Sequence, residues 1–234
     1  MSNENEQTTN RPKVCWGVAF ERAIAHEAVA AMLDVAMHCG ANNFTRISLG
    51  YSRIDTARNL FVEAFLKHTD DPNDVLVMLD ADHVHPAWIV ERLATAPPHV
   101  GVVGALAYRR GGNFDPCFYM ADEDGGLHAP MTWEEGRVYE CAAVGSAAIA
   151  IKRWVFKALD ESGWKWPYFR YEYPMVRGEA FPSEDMVFAR ACMRAGIKHH
   201  CDTGTVTPHI RTETVEGREW AEFVKEHKNG GILL

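Results

Sequence analysis

Apolar residues in the first 80 positions switch between two kinds of spacing. Short apolar runs at residues 14–20, 44–51 and 75–79 predict three strands. Between them, apolar residues three or four positions apart predict one helix over residues 23–40 and another that runs from a capping-box sequence at 52–55 to residue 65. Strands that alternate with helices form parallel sheets with right-handed crossovers, so the pattern predicts an α/β, Rossmann-like fold.

The second half of the chain has a different pattern. After a short helix at 86–96 and a buried strand at 100–107, residues 108–140 carry glycine, aspartate, proline and aromatics between short β-like runs. This stretch predicts a smaller antiparallel part beside the mostly parallel central sheet. The remaining predicted elements are an apolar strand at 141–151, helices that begin at 154 and 183, strands at 197–202 and 206–210, and a last helix near 220–224.

Two aspartates end the most apolar of the predicted strands. Asp80 and Asp82 follow residues 75–79 directly. Open α/β sheets bind ligands at the carboxyl ends of their strands, and side chains at i and i+2 share one direction. Since carboxylates are hard oxygen ligands, the pair is expected to face one divalent cation, directly or through a water. The alternative is that both residues only begin a turn before Pro86.

Composition narrows the classes of partner. At 234 residues the chain is long enough for one large domain with a sizeable core, and its formal net charge of −8 disfavours a broad nucleic-acid-binding face. Six cysteines without a C-x-x-C pair predict neither a disulfide framework nor a structural zinc site. No apolar run reaches the length of a membrane span and the polar start lacks a secretory pattern, so a cytoplasmic protein is expected.

The usual phosphate-binding loops are missing. No G-x-G-x-x-G follows the first strand and no G-x-x-x-x-G-K-[ST] occurs in the chain. A nucleotide bound here would therefore need a metal for its phosphates, which is the role expected of Asp80 and Asp82.

Residues 164–181 are dense in aromatic side chains, carry three basic residues and have no clear period. They form either an ordered loop over the core or a mobile lid and acceptor platform, because aromatic faces stack on sugars and bases. Directly after them, Ser183, Glu184 and Asp185 open a helix, a place where the helix dipole favours acidic residues.

Four segments together resemble the glycosyltransferase A (GT-A) fold in its family 2-like branch, in the compact single-domain variety of bacteria and phages. They are LDADH at 79–83, CAAVGSAAIAIKRWVF at 141–156, SEDMVFARACMRAGIKHHCD at 183–202 and TPHI at 207–210. Residues 1–12 are polar and without periodicity, which predicts a disordered tail, and the resemblance implies one domain at 13–234. Residues 13–110 are then the nucleotide-sugar-binding half, 111–211 the acceptor and catalytic half, and 212–234 a C-terminal helix and tail.

The resemblance also implies roles for single residues. It assigns Asp80 and Asp82 to the metal that bridges the donor diphosphate, with His209 as a further ligand. Glu184 and Asp185 fall on the acidic pair whose second carboxylate acts as the catalytic base. The residues that fall on the region near the nucleotide are Arg53, Arg58 and Asn59.

The implied reaction is the transfer of one sugar from a nucleoside-diphosphate sugar, with UDP as the expected nucleotide, to an acceptor hydroxyl. One base opposite the leaving group implies inversion at the anomeric carbon, and mixed oxygen and nitrogen ligands suit Mn²⁺ or Mg²⁺. The family's Gly-Thr-Gly and the glycine before the acidic pair are replaced here by Gly145-Ser146-Ala147 and Ser183. The Q-x-x-R-W signature and membrane helices of processive members are missing, which disfavours a polymerising synthase.

Two other functions stay open from the sequence. A nucleotidyltransferase that makes nucleotide-sugars also binds a metal and a nucleotide, but it is expected to have a glycine-rich signature near the first strand, where Gly17 stands alone. A carbohydrate-binding protein would use the aromatics at 164–173 and would leave the acidic residues and His209 without a shared purpose. The acceptor is open among a surface glycan, a protein and a hydroxymethylated pyrimidine in phage DNA. Five basic residues either guide the phosphate backbone of such DNA or only balance nearby acids: Lys165, Arg170, Arg177, Arg109 and Arg110.

Overall fold

The computed structural model describes residues 11–19, 25–50, 52–110, 114–124, 126–172 and 182–210. These residues contain ten strands and five helices. Most of the predicted N-terminal tail, the C-terminal helix and residues 173–181 of the aromatic segment lie outside these ranges. The strands are β1 Val14–Ala19, β2 Thr45–Arg46, β3 Val75–Asp80, β4 Val102–Leu106, β5 Phe118–Ala121, β6 Leu127–His128, β7 Val138–Cys141, β8 Ala143–Val144, β9 Ala148–Lys152 and β10 His199–Val206. The helices are α1 His26–Ala41, α2 Ile54–His68, α3 Ile89–Ala94, α4 Arg153–Glu161 and α5 Glu184–Arg194.

Seven strands form one sheet in the order β2-β1-β3-β9-β4-β10-β7. Five of them run in one direction, while β9 and β7 run antiparallel to their neighbours. Strands β6, β5 and β8 form a small antiparallel sheet. The predicted α/β fold, with a mostly parallel sheet and a smaller antiparallel part, is confirmed.

Strand β3 lies inside the sheet, between β1 and β9, and its residues alternate between two cores. Leu76 and Met78 point to the face covered by α2, α4 and α5, whereas Val77 and Leu79 point to the face covered by α1 and α3. Because both faces are covered, the strand is apolar throughout until Asp80, where it ends at the edge of the sheet. No helix among the described residues is long and apolar enough to cross a membrane.

Three predicted elements have different bounds in the structure. The strand predicted at 44–51 forms only Thr45–Arg46, because it pairs with β1 alone and its two paired residues are exposed. The apolar run at 141–151 is two strands, β8 and β9, on either side of a turn, and residues 197–206 include one long strand, β10. The predicted capping box is wrong, since the N-cap of α2 is Arg53, which makes no side-chain capping hydrogen bond, and the Ser52 hydroxyl bonds to the carbonyl of Gly50.

Gly145 lies in the turn between β8 and β9, where the backbone passes very close to Cys117. The Gly145 amide donates to the Cys117 carbonyl at 2.6 Å, and a Cβ at position 145 would lie 2.8 Å from the Cys117 Cβ. Only glycine fits this approach without displacing the neighbouring chain.

The described part of the aromatic segment, residues 164–172, is tied to the body of the protein. Tyr168 and Phe169 are buried, the Tyr168 hydroxyl donates to Asp160 at 3.0 Å, and the Asn59 side chain bonds to both the amide and the carbonyl of Phe169. These contacts favour the ordered-loop alternative for residues 164–172.

Candidate functional site

The guanidinium of Arg58 connects four separate parts of the chain. Arg58 is on the first turns of α2 and only 2% exposed. Its Nη2 donates to Asp80 at the end of β3 at 2.9 Å, and its Nε donates to Glu184 at the start of α5 at 3.0 Å. Its Nη1 donates to the Ser146 carbonyl at 3.2 Å, in the turn between β8 and β9. A buried guanidinium needs such partners, so this cluster fixes where the four segments meet.

The carboxylates around Arg58 outnumber the cation. Burial raises the pKa of Asp80 to about 7, and the negative charges of Asp82, Glu184 and Asp185 act in the same direction, against the opposing field of Arg58. Burial is the main cause of this shift, and the three neighbouring carboxylates add to it. A bound cation would relieve the excess of negative charge.

Asp82 has other partners than Asp80, since β3 ends at Asp80 and Asp82 lies in the turn that follows. Its carboxylate lies 2.9 Å from Nδ1 of His83 and 3.2 Å from Nε2 of His209. Burial acts to raise the pKa of Asp82, but hydrogen bonds from His209 and His83 outweigh it and lower that pKa well below its usual value. Asp82, His83 and His209 each offer a ligand atom within 4.8 Å of the others.

Residues 83 and 209 are brought together by backbone pairing. They form an isolated antiparallel bridge flanked by hydrogen bonds from Val84 N to Pro208 O and from Ile210 N to Asp82 O, both 2.9 Å long. Hydrogen bonds that flank a residue pair, rather than join its two members, mark a non-hydrogen-bonded antiparallel pair, in which side chains approach most closely. The two imidazole rings accordingly stack with their centroids 4.0 Å apart.

The donor set of this group fits a divalent cation. Nδ1 of His209 lies 3.0 Å from the carbonyl oxygen of Tyr108, which can only accept, so Nδ1 carries the proton. Nε2 faces a carboxylate oxygen of Asp82, and a proton or a cation between these two atoms makes the contact favourable. Asp80 is not part of the group, since its carboxylate is bonded to Arg58.

Asp185 is held at the start of α5, where the helix dipole stabilises a carboxylate. One of its oxygens accepts from the Ser183 hydroxyl and from the amide of Met186 at 2.8 Å. The other lies 3.4 Å from the amide and the hydroxyl of Ser146. Its neighbour Glu184 is only 5% exposed and bonded to Arg58, so Asp185 is the member of the acidic pair that is open to a ligand.

One cleft of about 400 Å³ brings these groups together. It has polar and charged side chains from six segments and an apolar side near the turn after β8. Its lining residues are Ile54, Arg58, Asp80, His83, Ala107, Arg109, Arg110, Cys117, Gly145, Ser146, Ala147, Ser183, Glu184, Asp185 and His209.

Most of the site residues predicted from the sequence line this cleft or contact its lining, and two lie apart from it. The exposed side chain of Arg53 pairs with Asp55 at 3.2 Å and lies over the ring of Tyr171. Asn59 is buried and its amide is taken up by the backbone of Phe169.

No role for His83 or Ser146 was predicted from the sequence. His83 directly follows Asp82, which was a signal for it, whereas Ser146 has only its place beside Gly145 in the resembling segment.

Neither a protein-family model nor a curated protein sequence matches this chain. Similar solved structures include A197 from STIV, which is 16% identical over 86% of each chain with a TM-score of 0.51. A glycosyltransferase involved in the glycosylation of the major capsid of PBCV-1 is 9% identical, over 86% of this chain and 96% of its own, with a TM-score of 0.46. The inositol-1-phosphate CTP transferase from T. maritima is 8% identical, over 95% of this chain and 98% of its own, with a TM-score of 0.46. The likeness to A197 concerns the fold alone.

Proposed function

We propose that this chain is a metal-dependent glycosyltransferase that moves one sugar from a nucleoside-diphosphate sugar to an acceptor hydroxyl. One observation carries the proposal: a single cleft is lined by the two histidines of a cation-type ligand group, by two exposed arginines and by an accessible carboxylate at a helix start, and Asp82 contacts both histidines. Leaving-group stabilisation and proton removal are the two tasks of such a transfer. The resemblance of the four sequence segments points to the same reaction.

The donor diphosphate would lie on the side of Asp82 and His209. These two residues would hold Mn²⁺ or Mg²⁺ directly, and Asp80, which lines the same cleft, would contact the ion through a water. When bound, the ion acts as a Lewis acid toward the departing diphosphate. Arg109 and Arg110 are exposed on the cleft, and their guanidinium groups have the planar donors that bind phosphate oxygens. We assign Arg53, at the start of α2 beside the cleft residue Ile54, to the nucleotide.

The acceptor hydroxyl would lie against Asp185. This carboxylate accepts the hydroxyl proton, while the Ser183 hydroxyl and the Ser146 amide keep its orientation. Glu184 is committed to Arg58 and serves to fix the start of α5. Attack assisted by one base, on the side away from the leaving group, gives inversion at the anomeric carbon.

Arg58 and Asn59 would act on the substrate indirectly. Arg58 positions Asp80 and Glu184, and Asn59 positions the loop at 164–172 through the backbone of Phe169. Neither side chain is exposed enough to be a principal contact for a nucleotide. In this proposal they are positioning residues.

The test is the release of nucleoside diphosphate from a panel of UDP-, GDP- and TDP-sugars with and without Mn²⁺, first with water and then with glycan, peptide or hydroxymethylated DNA acceptors. Thermal shifts of the same mixtures report binding, because a ligand of the folded state raises its stability. We expect metal-dependent release of nucleoside diphosphate from at least one donor.

Two outcomes would replace the proposal. Formation of pyrophosphate from a nucleoside triphosphate and a sugar 1-phosphate, without turnover of any nucleotide-sugar, would identify a nucleotidyltransferase. Binding of oligosaccharides with neither reaction would identify a carbohydrate-binding protein.

A further inference from the structure

We infer that His83 is a third protein ligand of the cation, beside Asp82 and His209, and that the site consequently prefers Mn²⁺ to Mg²⁺. The inference rests on the proposed function only in taking a divalent cation as the ligand of this group. It differs from the set predicted from the sequence, in which Asp80 and Asp82 supply the carboxylates and His209 the only imidazole.

The first step is the direction of the His83 side chain. Its Nδ1 lies 2.9 Å from one oxygen of Asp82, while Nε2 of His209 lies 3.2 Å from the other. The carboxylate of Asp82 is thus flanked by one ring nitrogen from each histidine. Ligand atoms so close together can bind one ion with small side-chain adjustments.

The second step is that the backbone fixes this arrangement. Residues 83 and 209 form a non-hydrogen-bonded antiparallel pair, and the two hydrogen bonds that flank it are both 2.9 Å long. The His83 side chain is 4% exposed, and its ring is stacked on His209 at 4.0 Å and on His85 at 5.9 Å. A buried ring held on both sides has little freedom to turn away from Asp82.

The third step is the hydrogen bonding of the second imidazole. His209 is fixed through Nδ1 by the carbonyl of Tyr108, which is the outer partner that metal-binding histidines usually have. A ligand role for Nδ1 of His83 requires the tautomer that carries its proton on Nε2. His83 lines the cleft, where water or a substrate oxygen can accept that proton.

The fourth step concerns Asp80, the other carboxylate nearby. Both of its oxygens lie within 3.2 Å of Nη2 of Arg58, which is buried and also bonded to Glu184 and to the Ser146 carbonyl. A direct bond from Asp80 to the cation would compete with this ion pair. One carboxylate and two imidazoles therefore form the protein part of the site, and imidazole nitrogen suits Mn²⁺ and Co²⁺ better than Mg²⁺, which takes oxygen ligands.

The experiment uses the full chain without any nucleotide-sugar. Pulsed electron paramagnetic resonance of the Mn²⁺-loaded protein counts directly coordinated imidazole nitrogens, and calorimetry measures the affinities for Mn²⁺ and Mg²⁺. We expect two coordinated nitrogens in the natural protein and one in His83→Asn, with a loss of Mn²⁺ affinity of at least about tenfold and a smaller loss for Mg²⁺. His99→Asn, which changes an exposed histidine outside the cleft, should keep both nitrogens and the affinity.

Several outcomes would overturn the inference. One coordinated nitrogen in the natural protein would leave His83 outside the coordination sphere, and this measurement does not depend on whether the variant folds. Two nitrogens retained in His83→Asn, or equal affinities for Mn²⁺ and Mg²⁺, would also refute it. Because no transfer is assayed, a protein that binds Mn²⁺ through two imidazoles but turns over no nucleotide-sugar would refute the proposed function and leave this inference intact.

Discussion

Nε of Arg58 lies 3.0 Å from Oε1 of Glu184, although 126 residues separate them in the chain. Both side chains are buried, so this contact ties α2 to the start of α5 inside the protein. The same guanidinium binds Asp80, which places the end of β3 at a fixed distance from the acidic pair. The arrangement of the side chains in the cleft therefore depends on the guanidinium of Arg58, which no substrate needs to contact.

Replacing Arg58 should destabilise the protein strongly. Arg58→Met keeps the volume of the side chain but leaves Asp80 and Glu184 as buried carboxylates without their partner, for which a loss of about 3–5 kcal/mol in the free energy of unfolding is expected. Urea denaturation followed by circular dichroism measures it. The matched control is Arg53→Met, which changes an exposed arginine at the start of the same helix and should cost at most about 0.5 kcal/mol. Equal losses for the two variants would contradict the role of Arg58.

Replacing Asp185 should separate chemistry from binding. Asp185→Asn keeps the shape and removes the proton acceptor, so transfer should fall by about two to four orders of magnitude while donor affinity survives. A lost first-turn charge costs only about 0.3–1 kcal/mol of stability, which cannot produce such a fall. Single-turnover transfer and donor binding are measured in parallel.

The matched comparison for Asp185 is Glu184→Gln, which alters a buried partner of Arg58 and should act mainly on stability. Near-normal transfer by Asp185→Asn would show that this residue is structural. A proportional loss of donor binding would place it in the nucleotide or metal site instead.

Removing Arg110 should strengthen cation binding. Its Nη1 lies 3.3 Å from the same Asp82 oxygen that faces His209, so its charge competes with a metal ion for that carboxylate. The pair is exposed, and Arg110→Gln is therefore expected to raise Mn²⁺ affinity by at most about fivefold at low ionic strength. Calorimetry measures the change, with Arg137→Gln, an exposed arginine outside the cleft, as the control. Unchanged or weaker Mn²⁺ binding by Arg110→Gln would exclude the competition.

Acid should destabilise the fold through His199. This residue is fully buried in β10, neither ring nitrogen has a hydrogen-bond partner among the described residues, and burial lowers its pKa to about 3. Below about pH 6.5 the unfolded chain binds a proton that the folded chain does not, so stability is complete above that pH and falls as the pH drops toward 3.

The slope of this decline tests the assignment. His199 alone contributes up to about 1.4 kcal/mol per pH unit in that window, and His199→Phe should remove this share of the slope. Urea denaturation between pH 4 and pH 8 measures the slope, and His68→Asn, which changes an exposed histidine at the end of α2, should leave it as it is. Identical slopes for the natural protein and His199→Phe would show that His199 is not the titrating group.

Local periodicity was sufficient to predict the first half of the fold. The alternation of apolar runs and helical stripes located β1, α1, α2 and β3, since the apolar positions of an element show which faces it buries. The abrupt end of the apolar run before Asp80 placed this carboxylate at the edge of the sheet. That Asp80 and Asp82 face one cation stays a prediction, because the rule for i and i+2 holds only within a strand and β3 ends at Asp80.

Only the tertiary structure decides which side chains contact each other. No spacing in the sequence indicates that β9 inserts antiparallel between β3 and β4, that Arg58 faces inward to Glu184, or that Asn59 bonds to Phe169 rather than to a ligand. His83 and His209 lie together because a two-residue backbone pairing sets their register across 126 positions. Local pattern shows whether a residue faces the core or the solvent, whereas its partner depends on the register between distant segments, and only the packed chain fixes that register.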